Sequence, residues 1–405
     1  MSEAVATAIF SELFRSAHTP LDPYPLYEDL RALAPVVRVG PDTWLTTSFS
    51  LCVQALRNPS LGNDADLAGA ARGGSQWRDH PCLATLARML LMANPPRHTR
   101  LRELLTSHFS AHLVSSLRST VERHVATLMT ELAGAGEIDF VAAFADKLPR
   151  QVIADVIGIP QQDRRHFRDR TLAFNAVFER SMTPQQLTEA DAAAVEIDAY
   201  VRELISGVRR KPGPGLLSGL VSASDAGALP AAELAPLVFQ IYNASYQTVL
   251  SMLGNGLWTL LSHPAEFVRL RNDPSLVRLA VAEVMRFEPP VQTTGRHATA
   301  RTVVGQVTIE PGELLVTVLA AANRDPDRFP RPSQLDITRA GPSSIAFGYG
   351  IHYCLGAALA SLQGEVAFGA LAGRGLVIEQ TASARHRETA NMRTVDVLPV
   401  RIQTV

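Results

Sequence analysis

The sequence predicts a mainly α protein with small β-sheets, and three features of its patterning carry that prediction. From about residue 100 to 290, apolar residues recur at three- and four-residue spacing, as in LVSSLRSTVERHVATLMTEL, which gathers them on one helical face. Near the N-terminus, at about 35–48, PVVRVGPDTWLTT sets Gly40, Pro41 and Asp42 between two runs of β-branched or aromatic residues, as a hairpin requires. After Pro290 the pattern turns to short strands in TVVGQVTIEPGELLVTVLAA, then a glycine-rich loop and a final helix, GAALASLQGEVAFGALAG.

The 405 residues exceed the usual size of one core, so two domains or one large helical body follow. With 46% hydrophobic residues, 19% charged residues and a net charge of -1, the chain reads as an ordinary soluble protein with no call for a nucleic-acid partner. Cys52, Cys82 and Cys354 are odd in number and far apart, which argues against a disulfide framework and fits a reducing cytoplasm. No CxxC pair points to structural zinc. The opening MSEAVATAIFSELFRSAHTP carries Glu3 and Glu12 and lacks a basic segment before an apolar core, so no secretory signal is predicted.

LAPLVFQIYNASYQTVLSMLGNGLWTLL, residues 234–261, has no charge and the length of a bilayer span. Gln240, Asn243, Ser245, Gln247, Ser251 and Asn255 interrupt it and no basic cluster flanks it, so a buried central helix is predicted, not a membrane span. DADLAGAARGGSQWRDHP (64–81) and KPGPGLLSGLVSASDAGALP (211–230), dense in Gly, Ala, Ser and Pro, are expected to be mobile loops.

FGYGIHYCLG, residues 347–356, puts Cys354 in a glycine-rich turn just before a helix. Gly348, Gly350 and Gly356 let the backbone turn tightly and aim its amides at the sulfur, and the helix dipole favours a thiolate. By itself this setting suits a buried core thiol, a nucleophile or a metal ligand. Upstream, in AVAEVMRFEPP, Glu283 and Arg286 lie three apart, on one face of a helix that ends before Pro289. Then come strands, AAANRDPDRFPRPSQLDITR, and the cysteine loop.

That ordered set resembles the cytochrome P-450 family of haem-thiolate enzymes, from LDPYPLYEDLR to the last helix. The resemblance implies one domain over residues 1–405 enclosing haem b (iron protoporphyrin IX). Cys354 matches the axial ligand to iron, framed by Phe347, Gly348, Gly350 and Gly356. Glu283 and Arg286 match a buried structural ion pair, with Arg339 as its third member. In NPPRHTRLRELL, His98 and Arg102 are four apart and match a pair that binds the haem propionates; Arg296 and His352 match two further propionate contacts. A buried dianion needs such compensation.

The uncharged helix matches the one crossing the distal face of the haem. Aligned on GNGL (254–257), Ala244 to Val249 fall where the family usually shows Ala-Gly, a variable residue, an acid and Thr. Thr248 is kept; Gln247 stands where the acid would be, and a neutral amide cannot cycle a proton as a carboxylate does. Phe239, Tyr242 and Tyr246 form a stripe that reads as core packing or, with Ala244, Phe174 and Phe178, as the lining of a pocket for a bulky, aromatic substrate. The implied activity is hydroxylation of a natural-product-like small molecule, with dioxygen and electrons from a ferredoxin and its NAD(P)H-dependent reductase. Oxidative C–C or C–N coupling and a non-catalytic haem sensor are the alternatives. A cysteine-nucleophile hydrolase lacks a matched His and acid motif.

Overall fold

The computed structural model describes residues 2–14, 22–109, 111–179, 182–341, 343–373, 375–387, 389 and 391–404. Residues 15–21, at the opening stretch and the start of LDPYPLYEDLR, and 180–181, at the end of LAFNAVFERS, lie outside the described residues. The fold is mainly helical with small sheets. Contacts gather it into two compact units, residues 1–62, 116–148 and 248–405, and residues 63–115 and 149–247.

In the first unit a five-stranded sheet runs in the order Val36–Gly40, Thr43–Thr46, Leu314–Val318, Thr293–Ala298, Leu61–Gly62. The first two strands are the expected hairpin, with Val36 opposite Thr46 and Val37 opposite Leu45. Alternate residues face opposite sides of a strand. Val37, Leu45, Val316 and Val318 therefore pack on Phe10, Tyr27 and Leu30, while Val36 and Leu315 pack on Val304 and Ile309. Each fully buried Val or Leu contributes about 1.5–3 kcal/mol.

The helix Val277–Phe287 stops because Pro289 has no N–H to continue it. Its neighbour Ala357–Leu371 approaches closely at Gly364, where an added Cβ would lie 3.1 Å from Val281 Cγ2. A second sheet places Pro399–Thr404 between Glu137–Asp139 and Leu376–Gln380.

The second unit is helical, with Arg97–His108, Arg164–Phe174 and Pro184–Arg210 among its members. Thr183 opens the last with a capping box: its Oγ1 accepts from Gln186 N, and Gln186 Oε1 accepts from Thr183 N. Two expectations are corrected here. Residues 64–81 are not a loop: Ala65–Gly73 is a helix followed by a 3-10 stretch, Gly74–Asp79. Asp64 caps it by accepting from Asp66 N and Leu67 N, and Gly69 lets Trp77 lie flat where a Cβ would come within 2.4 Å of the ring. Within 211–230, Leu216–Asp225 is helical because Leu216, Leu217, Leu220 and Val221 bury one face.

The uncharged segment is one helix, Ala231–Ser262. Gln240, Ser251 and Asn255, three of its polar interruptions, are satisfied inside protein. In the second unit Gln240 Oε1 accepts from Leu90 N at 2.6 Å; in the first, Ser251 Oγ pairs with Thr394 Oγ1 at 2.7 Å, and Asn255 bonds Arg393 O and Val395 N at 2.9 Å. Among the described residues no helix is long and apolar enough to cross a membrane.

Candidate active site

The cysteine loop is built by backbone. Gly348 and Gly350 have φ of +73° and +70°, a region L side chains rarely enter. At Gly350 a Cβ would lie 2.1 Å from Leu56 O, so no larger residue fits. Cys354 N donates to Phe347 O at 2.9 Å and Tyr353 N to Gly350 O at 3.1 Å, closing the loop around the thiol. Gly356 caps the helix that begins at Ala357, three residues beyond the sulfur.

The three cysteines differ. Cys52 and Cys82 are fully buried, and burial pushes both thiols up, which keeps them protonated core fillers. Cys354 is half-buried, in the glycine loop just ahead of the helix Ala357–Leu371. Among the described residues no cluster of three His, Cys, Asp or Glu could hold a metal ion. A single cysteine could hold an iron already carrying a porphyrin, which needs only one protein donor on that face.

Beside this loop, Arg286 Nε and Nη2 each donate to a Glu283 oxygen at 2.8 Å. Arg339 Nε lies 3.1 Å from both oxygens, and Asp336 N donates to Oε1 at 3.0 Å. Arg286 also ties down the backbone, donating to Asn323 O and Pro332 O at 2.9 Å. The structure thus brings all three members together. A groove of about 1360 Å³ runs past them, lined by Arg278, Arg328, Phe347, Gly348, Tyr349 and Tyr353 among others.

The proposed propionate contacts fall in both units. Arg296 lies buried in the strand Thr293–Ala298, where desolvation pushes its guanidinium down to about 10. The guanidinium stays charged at neutral pH, and a carboxylate alongside would offset its desolvation, so the position suits an acidic cofactor. Its Nη1 donates to Gly295 O at 2.7 Å and Thr294 Oγ1 at 3.0 Å. His352, half-buried, ends the 3-10 turn Gly350–His352. In the second unit, His98 and Arg102 lie on the helix Arg97–His108, His98 buried and Arg102 half-buried. On the same helix Arg97 Nε and Arg100 Nη2 both bond Glu233, at 2.7 and 2.9 Å.

Along the uncharged helix, Ala244 is exposed and Ser245, Gln247 and Thr248 are half-buried, while Tyr242 and Tyr246 are buried. The aromatic stripe is largely satisfied by its own rings. Phe239 meets Phe174 edge-on at 4.8 Å, Tyr242 meets Phe167 at 4.7 Å and Tyr242 lies 6.0 Å from Tyr246. Phe174, Phe239, Tyr242 and Tyr246 are at most 1% exposed, the state of a packed core. Phe178, 6.3 Å from Phe174, is half-buried.

Sequence reasoning passed over several partners. Asn175 Nδ2 donates to Gln247 Oε1, and Arg168 Nε donates to Tyr246 Oη at 3.2 Å. A lone Asn between Phe174 and Phe178 was the available signal for the first. In the first unit Glu288 pairs with Arg393 and, at 3.6 Å, with Arg324, whose guanidinium stacks 3.2 Å over Tyr24. Burial raises the Glu288 carboxyl.

Residues 65–372 match the cytochrome P450 family. The chain is 37% identical over 385 residues to cytochrome P450 107B1 of Saccharopolyspora erythraea, covering 91% of this chain and 92% of that protein. It is 33% identical over 394 residues to the 6-deoxyerythronolide B hydroxylase of the same organism, covering 94% and 96%. Its fold is similar to that of CxnD, a cytochrome P450 enzyme for C–S bond formation in chuangxinmycin biosynthesis, with a TM-score of 0.83, 29% identity and 94% of each chain covered. With the match spanning most of its length, the chain belongs to the cytochrome P450 family: it is an oxidoreductase of the P450 type, and its cofactor is haem b.

Proposed function

We propose that the chain is one haem-thiolate oxygenase domain that hydroxylates a bulky natural-product-like small molecule. The observation that supports this most is Cys354: a half-buried thiol in a glycine-built loop ahead of a helix, beside two cysteines locked in the core. Cys354 would hold the iron, with Phe347, Gly348 and Gly356 shaping its loop. Arg296, His352, His98 and Arg102 would hold the propionates by charge-assisted bonds. Bound haem supplies dioxygen activation: one oxygen atom enters a C–H bond, the other leaves as water, and the electrons come from a donor.

This chain's residues supply orientation and protons. The Thr248 hydroxyl both donates and accepts, so it can hold a water or pass a proton; Gln247 cannot ionise. Ala244 and Phe178 are the best placed of the pocket residues to meet substrate, being exposed and half-buried. Electrons would come from a ferredoxin and its reductase, docked over the groove beside the cysteine loop, where Tyr349, Ile351 and Tyr353 are 37%, 51% and 44% exposed. Arg328 would attract an acidic partner there, and so would Arg278, whose side chain is 82% exposed although it lies 3.6 Å from Glu365. Arg100, bonded to Glu233, is less available for that role.

The test is a titration of the haem-loaded protein with macrolide aglycones and aromatic polyketides, read by the shift of the iron to high spin. Compounds that bind are then turned over with ferredoxin, reductase and labelled dioxygen. Gain of one labelled oxygen supports hydroxylation. Loss of two hydrogens with no oxygen gained supports oxidative coupling, the second reading, which the fold's similarity to CxnD and the amide at Gln247 favour. Binding without any turnover would leave a haem sensor.

A further inference from the structure

Gln247 occupies the place where an acid is usual, and its side chain is committed elsewhere. Asn175 Nδ2 donates to Gln247 Oε1. Asn175 opens the 3-10 turn Asn175–Phe178, which follows directly on the helix Arg164–Phe174. Tyr246, the preceding residue of the long helix, accepts from Arg168 on that same helix. Two successive side chains of the long helix are thus spent on holding one neighbour.

The turn is held at a second point. Arg72 Nε donates to Val177 O at 3.0 Å, and Arg72 Nη1 is fixed by Ala68 O at 2.9 Å. Two side-chain ties therefore hold the four-residue turn, at Asn175 and at Val177, the residue before Phe178. A single 3-10 turn has few hydrogen bonds of its own, so its place depends on such ties. An amide suits this work because its bond to Asn175 does not change with protonation. Moving protons needs the opposite property.

We propose that Gln247 is a positioning residue that acts through Asn175: it pins the turn Asn175–Phe178, and so sets how a ligand beneath Phe178 is admitted and oriented, and it moves no protons. This rests on the oxygenase reading, in which Phe178 of that turn lines the substrate pocket.

The experiment is hydrogen exchange of the haem-loaded protein, followed over the amides of residues 175–179, with phenylimidazole affinity measured in parallel. Losing one hydrogen bond speeds exchange about fivefold. Gln247→Leu and Asn175→Leu should each produce that change and weaken phenylimidazole severalfold. The double variant should be no worse than either, because the two residues form one interaction. Gln247→Glu should match the wild type, since a carboxylate accepts the same bond. Additive effects, or unchanged exchange in Gln247→Leu together with more peroxide released per NAD(P)H, would overturn the proposal. If the leucine variants fail to load haem, Asn175→Asp decides: Gln247 Nε2 can donate to it, so exchange should stay at the wild-type rate, and faster exchange would overturn the proposal. The oxygenase reading fails separately, if the wild-type protein lacks a thiolate haem spectrum.

Discussion

Arg286 meets the carboxylate of Glu283 with two parallel bonds of 2.8 Å, and both side chains are at most 3% exposed. A planar fork against a carboxylate is the strongest geometry such a pair can take. Its value here lies less in the pair than in what Arg286 and Arg339 hold, since their remaining N–H groups fix the carbonyls of Asn323, Pro330, Pro332 and Gln334.

Removing one partner leaves a buried charge. Arg286→Ala should therefore destabilise the protein by about 3–5 kcal/mol. Arg339→Ala, whose side chain is 14% exposed, should cost less. Thermal melts of the haem-loaded proteins check the order.

Cys354→His should abolish the red-shifted band of the reduced carbon monoxide complex. Cys52→Ala and Cys82→Ala should keep it, because those thiols lie in the core. A band that survives Cys354→His would rule out Cys354 as the iron ligand.

His98 and Arg102 should act on haem retention. Arg102→Ala should lower haem content per polypeptide without altering the thiolate spectrum, and His98→Ala with Arg102→Ala should lower it further. Haem transfer to apomyoglobin measures this directly, and an unchanged transfer rate would reject the assignment.

His386 makes stability depend on pH. Its ring lies edge-on to Trp258 at 4.8 Å, Nε2 is buried without a hydrogen-bond partner among the described residues, and burial, then Arg393, pushes its pKa from 6.5 down to about 4. Between those values the unfolded chain holds the proton and the folded one does not, so stability falls as pH drops from 6.5 towards 4. His386→Phe should flatten that fall in the melting temperature; an equal fall in the variant would exclude His386 as its source.

Local patterns in the chain announced the parts of the fold that depend on local spacing. Glu283 and Arg286 share a helical face, and the order of segments around Arg339 and Cys354 marks the family. Composition misled at 64–81, where glycine and alanine look like a loop until Trp77 is seen to need Gly69 beneath it. Nothing near Gln247 in sequence names Asn175, 72 positions away, nor does Glu288 name Arg393, 105 positions away. Such pairs exist through tertiary packing, which single-sequence periodicity does not encode.

The last strand, Pro399–Thr404, sits in the middle of its sheet, not at an edge. Leu398 N reaches Asp139 and Leu398 O receives Phe140 N, while Arg393 and Val395 satisfy Asn255. A ribosome synthesises these residues after everything they hold. Until residues 393–404 emerge, Glu137–Asp139 and Leu376–Gln380 lack the strand between them and the buried amide of Asn255 on the long helix lacks its partners. The first unit can therefore close only once Pro399–Thr404 has been made, and a nascent chain stalled before that strand would present an unpaired strand edge for chaperones or proteases to find.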